Sequence, residues 1–168
     1  LTTFTLKEDS DKKRVNYEGH LAAESLQLGR ILGIESILGS ITGKFSFKGY
    51  DFDPKKIHVQ FESNIKEISL NGYNYKNLNI SGLFDKLLFN GLADLKDPNA
   101  QMQFSGAIDF SKSMPYFNFT TELSNWNLHP LHLINRDSLT LNHGLVTLNC
   151  RGSSFDDLVG SIYIDSLD

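Results

Sequence analysis

The chain has 168 residues, with 16 Lys and Arg against 20 Asp and Glu, for a net charge of −4. It lacks the clustered basic face that a nucleic-acid partner requires, and no run approaches the ~20 apolar residues of a membrane-spanning helix. An apolar fraction of 40%, 21% charged residues and four separated prolines describe a folded chain rather than a disordered one.

The chain begins at Leu1 and alternates as a strand from its first residues, so we expect a piece of a longer protein. The mixed-sign run Lys7 to Arg14 reads as a solvated turn. Leu28, Ile31 and Leu32 have the spacing of one apolar helical face. Gly43, Phe45 and Phe47 then open a strand, Asp53-Pro54 marks a turn, and Ile57, Val59 and Phe61 alternate with His58, Gln60 and Glu62. Asn71-Gly72 between two such runs predicts a hairpin. Asp97-Pro98 and Ser113-Met114-Pro115 are further turns.

Between them, Met102, Phe104, Gly106, Ile108 and Phe110 alternate with polar or small residues, as do Phe117, Phe119, Thr121 and Leu123 after the second turn. Leu128 and Leu131 suggest another short turn, followed by Leu139 and Leu141, then Gly144, Val146 and Leu148. Phe155, Leu158 and Val159 form a third short helical element before Gly160, Ile162 and Ile164. Period-two alternation places one face of a sheet on something apolar and the other in water. The expectation is an all-β, elongated, strongly curved and mostly antiparallel sheet with short helical connectors, an open groove in shape. No linker or composition shift divides it, so residues 1–168 read as a single segment of a longer repetitive β domain.

The phase slips in places. Ile65 is in step with Phe61, but Ile68 and Leu70 are not; Leu139 and Leu141 are out of step with Val146 and Leu148. Each slip demands a bulge or bend, because a one-residue shift exchanges the two faces.

No catalytic constellation emerges. His129 and His132 are interrupted by Pro130 and have no third ligand at a persuasive spacing, and Asp156-Asp157 read as a cap on a helical turn. Cys150, the single cysteine, is in phase with Val146 and Leu148 and reads as a buried apolar residue. Nucleophile elbows, Walker loops and dinucleotide fingerprints are absent, so no enzyme and no cofactor is expected. The remaining feature is the apolar face, with Phe45, Phe47, Val59, Phe61, Phe104, Ile108, Phe110, Phe117, Phe119, Leu139 and Leu141 as candidate lining residues. Each phenylalanine there gains about 1.5–3 kcal/mol from burial, so the face needs a cover. That cover is either an opposite wall, as in a β-sandwich binding module for glycan or protein, or a lipid acyl chain in an open groove. In the sandwich reading, Trp126, Tyr50, Tyr73 and Tyr75 would be exposed recognition aromatics.

The segment from Gly72 to Gly82 (GYNYKNLNISG), followed by Leu88-Phe-Asn-Gly91, Asp97-Pro-Asn99 and Phe104 to Phe110 (FSGAIDF), resembles the TamB/AsmA-like proteins of the Bacteroidetes in the order of its pieces. Pro115 to Phe119, Asn127 to Leu131 and Ser153 to Gly160 look like further elements of that pattern. The resemblance implies a U-shaped β-sheet with an apolar interior, in a protein anchored in the inner membrane and extending through the periplasm. It implies phospholipid acyl chains and an outer-membrane β-barrel protein as partners, a role in lipid movement or outer-membrane protein assembly, and no catalytic residues. Asp137-Ser138-Leu139 and Asp165-Ser166-Leu167 also match a short O-glycosylation pattern of Bacteroidetes envelope proteins.

Overall fold

The computed structural model describes residues 2–9, 14–32, 35–36, 38–53, 55–131, 139–152 and 157–165. Its strands are β1 (Thr3–Asp9), β2 (Arg14–Gln27), β3 (Leu38–Tyr50), β4 (His58–Leu70), β5 (Tyr73–Asp85), β6 (Leu88–Asp97), β7 (Ala100–Asp109), β8 (Tyr116–Asn127), β9 (Thr140–Arg151) and β10 (Val159–Asp165). The helix α1 (Leu28–Leu32) follows β2. All strands join one ten-stranded sheet in chain order, with β1 and β10 at its edges. Every pairing is antiparallel and the sheet does not close into a barrel. The architecture is therefore the all-β, open, curved sheet that the alternation predicts.

Of the three predicted helical connectors, α1 forms over Leu28 to Leu32. Leu128 to Leu131 forms a turn, and Phe155 lies outside the described residues. Val159 departs from the expectation: it opens β10 opposite Arg151, where its β-branched side chain suits extended backbone. Asn71 and Gly72, at φ 51° and 79°, form the predicted tight hairpin. A second such hairpin joins β5 to β6 through Lys86 and Leu87, at φ 50° and 72°. Neither residue favours left-handed backbone. Hydrogen bonds from Lys86 N to the Ile57 carbonyl (2.9 Å) and from Phe110 N to the Leu87 carbonyl (2.9 Å) hold it there.

The phase slips take physical form as a crease near one end of the strands. Ser25 in β2, Asn77 in β5 and Asn125 in β8 adopt φ of 50°, 55° and 53° respectively. The β2–β3 register shifts between Ala23 and Leu26, and the β3–β4 register shifts between Thr42 and Gly43. A left-handed residue or a bulge rotates the strand, so Ile68 and Tyr75 pair beyond the crease. Leu141 pairs with Trp126 in the same way.

A line of directly opposed residues crosses the whole sheet on its apolar side. It runs from Phe4 through Gly19, Phe47 and Phe61 to Gly82, Gly91 and Gly106, and on through Phe119 and Leu148 to Ile162. The central glycines accommodate tight backbone approach. A Cβ on Gly91 would stand 2.3 Å from the Ser81 carbonyl oxygen, and one on Gly106, at φ 154°, 2.4 Å from Phe119 Cα. Aromatic rings lean over the gaps: Phe4 meets Phe47 across Gly19 at 6.1 Å, and Phe61 meets Phe89 across Gly82 at 6.1 Å.

The chain exposes 11175 Å². A compact protein of this mass exposes roughly 8,300 Å². The surplus follows from a single-layer architecture. Among the described residues no second sheet covers the first, which removes the two-sheet sandwich as a description of this segment.

Candidate functional site

The apolar face is built by strand parity. Directly opposed residues point to the same side, so the pairings assign faces without ambiguity away from the crease. Phe45 opposes Ser63, Val59 opposes Phe84, Phe104 opposes Thr121, and Ile108 opposes Phe117, all in rows parallel to the line through Phe47, Phe61 and Phe119. These eight predicted lining residues therefore share one face and are half-buried there. Phe104 links its neighbours, with its ring 6.3 Å from Phe89 and 5.0 Å from Phe119.

The other three candidates lie at the margins. Leu141 opposes Trp126 beyond the crease. Phe110 follows the end of β7 and Leu139 precedes β9, and they are 47% and 55% exposed. The face also contains Phe4, Tyr17, Leu21, Phe84 and Phe89, which the alternation did not single out. Leu83-Phe84 and Leu88-Phe89 are adjacent apolar pairs flanking the Lys86-Leu87 turn, so neither pair has a readable phase.

One end of this face is sealed. Leu131, from the turn after β8, is 1% exposed and packs with Leu95 and Ala100 against Tyr73, Tyr75, Leu78, Met102 and Trp126. Trp126 also donates its indole N–H to the Gln101 carbonyl at 2.8 Å. Beside this cluster sits Asp97, 1% exposed. Its carboxylate accepts bonds from the Tyr73 hydroxyl (2.7 Å), Lys76 N (2.9 Å) and Asn99 N (2.8 Å). The Tyr73 hydroxyl in turn accepts a bond from Asn99 Nδ2 at 3.0 Å. Burial raises the Tyr73 and Tyr75 hydroxyl pKa above the ordinary 10.0, and the nearby Asp97 charge adds to it. Toward β2–β4, Tyr17, Ala23, Ile41 and Ile65 are buried as well, with the Phe52 ring stacked on Tyr17 at 4.7 Å, while the central phenylalanines between these ends stay half-buried. Sequence reasoning recognised Asp97 only as part of a turn.

The opposite face is hydrophilic. Cross-strand pairs such as Asn64–Asn79 (2.7 Å), Thr120–Thr147 (3.2 Å) and Lys48–Glu18 (3.4 Å) lie along it. Clefts open on this side, including one of about 670 Å³ lined by Arg14, Glu18, Lys48, Tyr50, His58 and Gln60. Phe47, Phe61 and Phe104 contribute only to the walls of shallower clefts there. The Tyr50 ring is covered from β2 by the Arg14 guanidinium, 4.0 Å from its centroid, and from β4 by the His58 ring at 4.8 Å. Of the four aromatics expected to be free for recognition, Tyr73, Tyr75 and Trp126 pack on the sealed cluster and Tyr50 is stacked on both sides.

No group of three or more His, Cys, Asp or Glu that could hold a metal occurs among the described residues. His132, Asp156 and the serines of both Asp-Ser-Leu motifs lie outside them. Cys150 is buried, as its phase indicated, opposite Phe117 and Gly160 on the apolar face. No described helix is long and apolar enough to cross a membrane.

No family model matches the chain. No curated protein and no solved structure matches it either. The functional reading therefore rests on the two faces of the sheet and on the resemblance carried by the sequence.

Proposed function

We propose that this chain is a non-catalytic segment of a TamB/AsmA-like envelope protein whose apolar sheet face guides phospholipid acyl chains. The observation that carries the reading is a ten-stranded sheet whose aromatic and aliphatic face has no second sheet over it among the described residues, so that Phe45, Phe47, Phe61, Phe104, Phe117 and Phe119 stay half-buried. Single-layer apolar surface of this extent is costly in water and marks a binding surface. A methylene chain suits it, because the face offers rings, methyl groups and side-chain-free glycine steps, with few groups that demand a hydrogen bond. In this reading the segment works in the periplasm. Its full-length protein is anchored in the inner membrane, and an outer-membrane β-barrel protein is its partner in lipid movement or outer-membrane protein assembly.

The rival reading, a glycan- or protein-recognition module, has one feature in its favour, the polar cleft beside Tyr50. Sugar stacking needs an open ring face, and Tyr50 offers none.

The test is a photo-crosslinking residue placed at Phe104, on the apolar face, or at Gln103, on the hydrophilic face. Cells producing each variant are irradiated and the adducts are identified by mass spectrometry. Acyl-lipid adducts at position 104 and not at 103 are expected. Equal labelling at both positions, or none at 104, overturns the proposal.

A further inference from the structure

We infer that the cleft spanning β1 to β4 on the hydrophilic face is an anion site that takes a phosphate group, free in solution or on a lipid headgroup. The inference stands on that face and does not depend on what the apolar face binds.

Strand register builds the cleft. Lys7, Asn16, Tyr50 and His58 oppose one another in a row across the four strands, and Thr5, Glu18, Lys48 and Gln60 form the next row on the same side. Arg14 lies two residues before Asn16 and so joins that side. Together these residues line about 670 Å³, within the range of small-ligand sites.

Charge sets this cleft apart. Lys7, Arg14 and Lys48 against Glu18 give its lining a net charge of +2. Two other clefts on the same face are acidic. One carries −1, with Lys44 against Glu62 and Asp94, and the other −2, with Asp94 and Glu122 as its charged residues. The whole chain carries −4, so the positive charge is gathered locally against the general trend. Such a cleft raises the local concentration of anions.

Arg14 supplies the preference for phosphate. Its guanidinium lies 4.0 Å from the Tyr50 ring centroid, and the His58 ring stacks on the same tyrosine at 4.8 Å. His58 Nδ1 stands 3.4 Å from Asp85 Oδ1, which steadies the stack from β5. The guanidinium is thus ordered before a ligand arrives, and its planar fork matches the paired oxygens of a phosphate. Lys7 and Lys48 add point charges. Lys48 pairs with Glu18 at 3.4 Å, but both side chains are largely exposed, so phosphate can displace the carboxylate at little cost.

The experiment titrates the 168-residue chain with inorganic phosphate and with pyrophosphate at constant low ionic strength, where charge is least screened. A second arm measures cosedimentation with vesicles of phosphatidylcholine, alone or mixed with phosphatidylglycerol. Saturable binding of the soluble anions identifies a free phosphate as the ligand. Binding to the mixed vesicles beyond that to phosphatidylcholine alone identifies a headgroup. Binding in neither arm overturns the inference. For whichever probe binds, Arg14→Gln should weaken the affinity about tenfold or more by removing charge-assisted hydrogen bonds. Lys7→Gln should weaken it about two- to fivefold. Glu18→Gln should strengthen it, because Lys48 is released and the lining charge rises. Lys96→Gln, on β6 outside the cleft, should leave it unchanged. Equal weakening by Lys96→Gln and Arg14→Gln, or weaker binding in Glu18→Gln, would overturn the inference in favour of diffuse surface charge. Lys7 and Glu18 are exposed, so their variants carry the test even where Arg14→Gln fails to fold.

Discussion

Asp97→Ala provides a quantitative test of how the closed end of the apolar face is held. The native carboxylate is 1% exposed and accepts three hydrogen bonds of 2.7 to 2.9 Å from β5 and from the β6–β7 turn. A hydrogen bond to a charged group contributes about 1.5–3 kcal/mol, and a buried donor left without a partner costs about 1–3 kcal/mol. Lys76 lies on an exposed stretch and its N–H can return to water, whereas the Tyr73 hydroxyl remains in the cluster. Together these effects predict a loss of about 3–5 kcal/mol for Asp97→Ala. Tyr73→Phe removes only one donor and should cost about 1–2 kcal/mol. The double variant should be less destabilised than the two single losses combined, because both remove the same 2.7 Å bond. Asp94→Ala is the internal control. Asp94 lies on the same strand and pairs with Lys96 at 2.9 Å, but it is exposed enough that its loss should cost about 0–1 kcal/mol. Urea unfolding with an unchanged slope reads all four values. A cost below about 1 kcal/mol for Asp97→Ala, or equal costs for Asp97 and Asp94, would refute the reasoning.

Gly106→Ala should destabilise by about 2–3 kcal/mol in the same assay, since φ 154° disfavours a side chain and the new Cβ would meet the backbone of Asn118 and Phe119. Lys86→Asn with Leu87→Gly should raise stability by about 1–2 kcal/mol by relieving two left-handed residues that lack a suitable side chain; a loss of stability would show that the Leu87 side chain contributes more than the strain costs. Stability should also fall in alkali. Burial raises the pKa of Tyr17, Tyr73 and Tyr75 above 10.0 in the folded chain. The folded state thus holds these protons more tightly than the unfolded one. Their contribution is complete below pH 10.0 and is lost as the pH rises through the folded values. Urea midpoints measured from pH 8 upward should be level and then drop, and the drop should be smaller in Tyr73→Phe with Tyr75→Phe.

Period-two alternation made the strands and their faces legible, and Asn71-Gly72 made one hairpin legible, because both signals are local. The slip between Ile65 and Ile68 announced a distortion, but its site on the partner strand at Asn77 depends on pairing that no local pattern encodes. Lys86-Leu87 carries no turn signal at all; its conformation is imposed by neighbours at Ile57 and Phe110. That missed turn also hid Phe84 and Phe89. Asp97-Pro98 looks like any other turn because Tyr73, the partner that gives the carboxylate its role, lies 24 residues away. Alternation could not distinguish one sheet from two, since a strand in a sandwich and a strand in an open sheet have the same period. The polar cleft beside Tyr50 was equally hidden, because it arises from side chains brought together from β1 to β4.

The one-layer architecture ties folding to occupancy. In a sandwich, the apolar residues of one sheet are buried by the other, and hydrophobic burial offsets the entropy lost on ordering the chain. Among the described residues the Leu95–Ala100–Leu131 end is closed in that way and Tyr17, Ile41 and Ile65 are buried elsewhere, but Phe45, Phe47, Phe61, Phe117 and Phe119 remain half-buried. Whatever covers them contributes to the stability of the sheet itself. An occupant that binds only the folded state adds about 2.7 kcal/mol at a hundredfold excess over its dissociation constant. An acyl chain on the apolar face adds it at the central rows, so the amides around Phe104 should gain protection from hydrogen exchange when lipid is bound, and an unchanged exchange pattern there would count against the lipid reading.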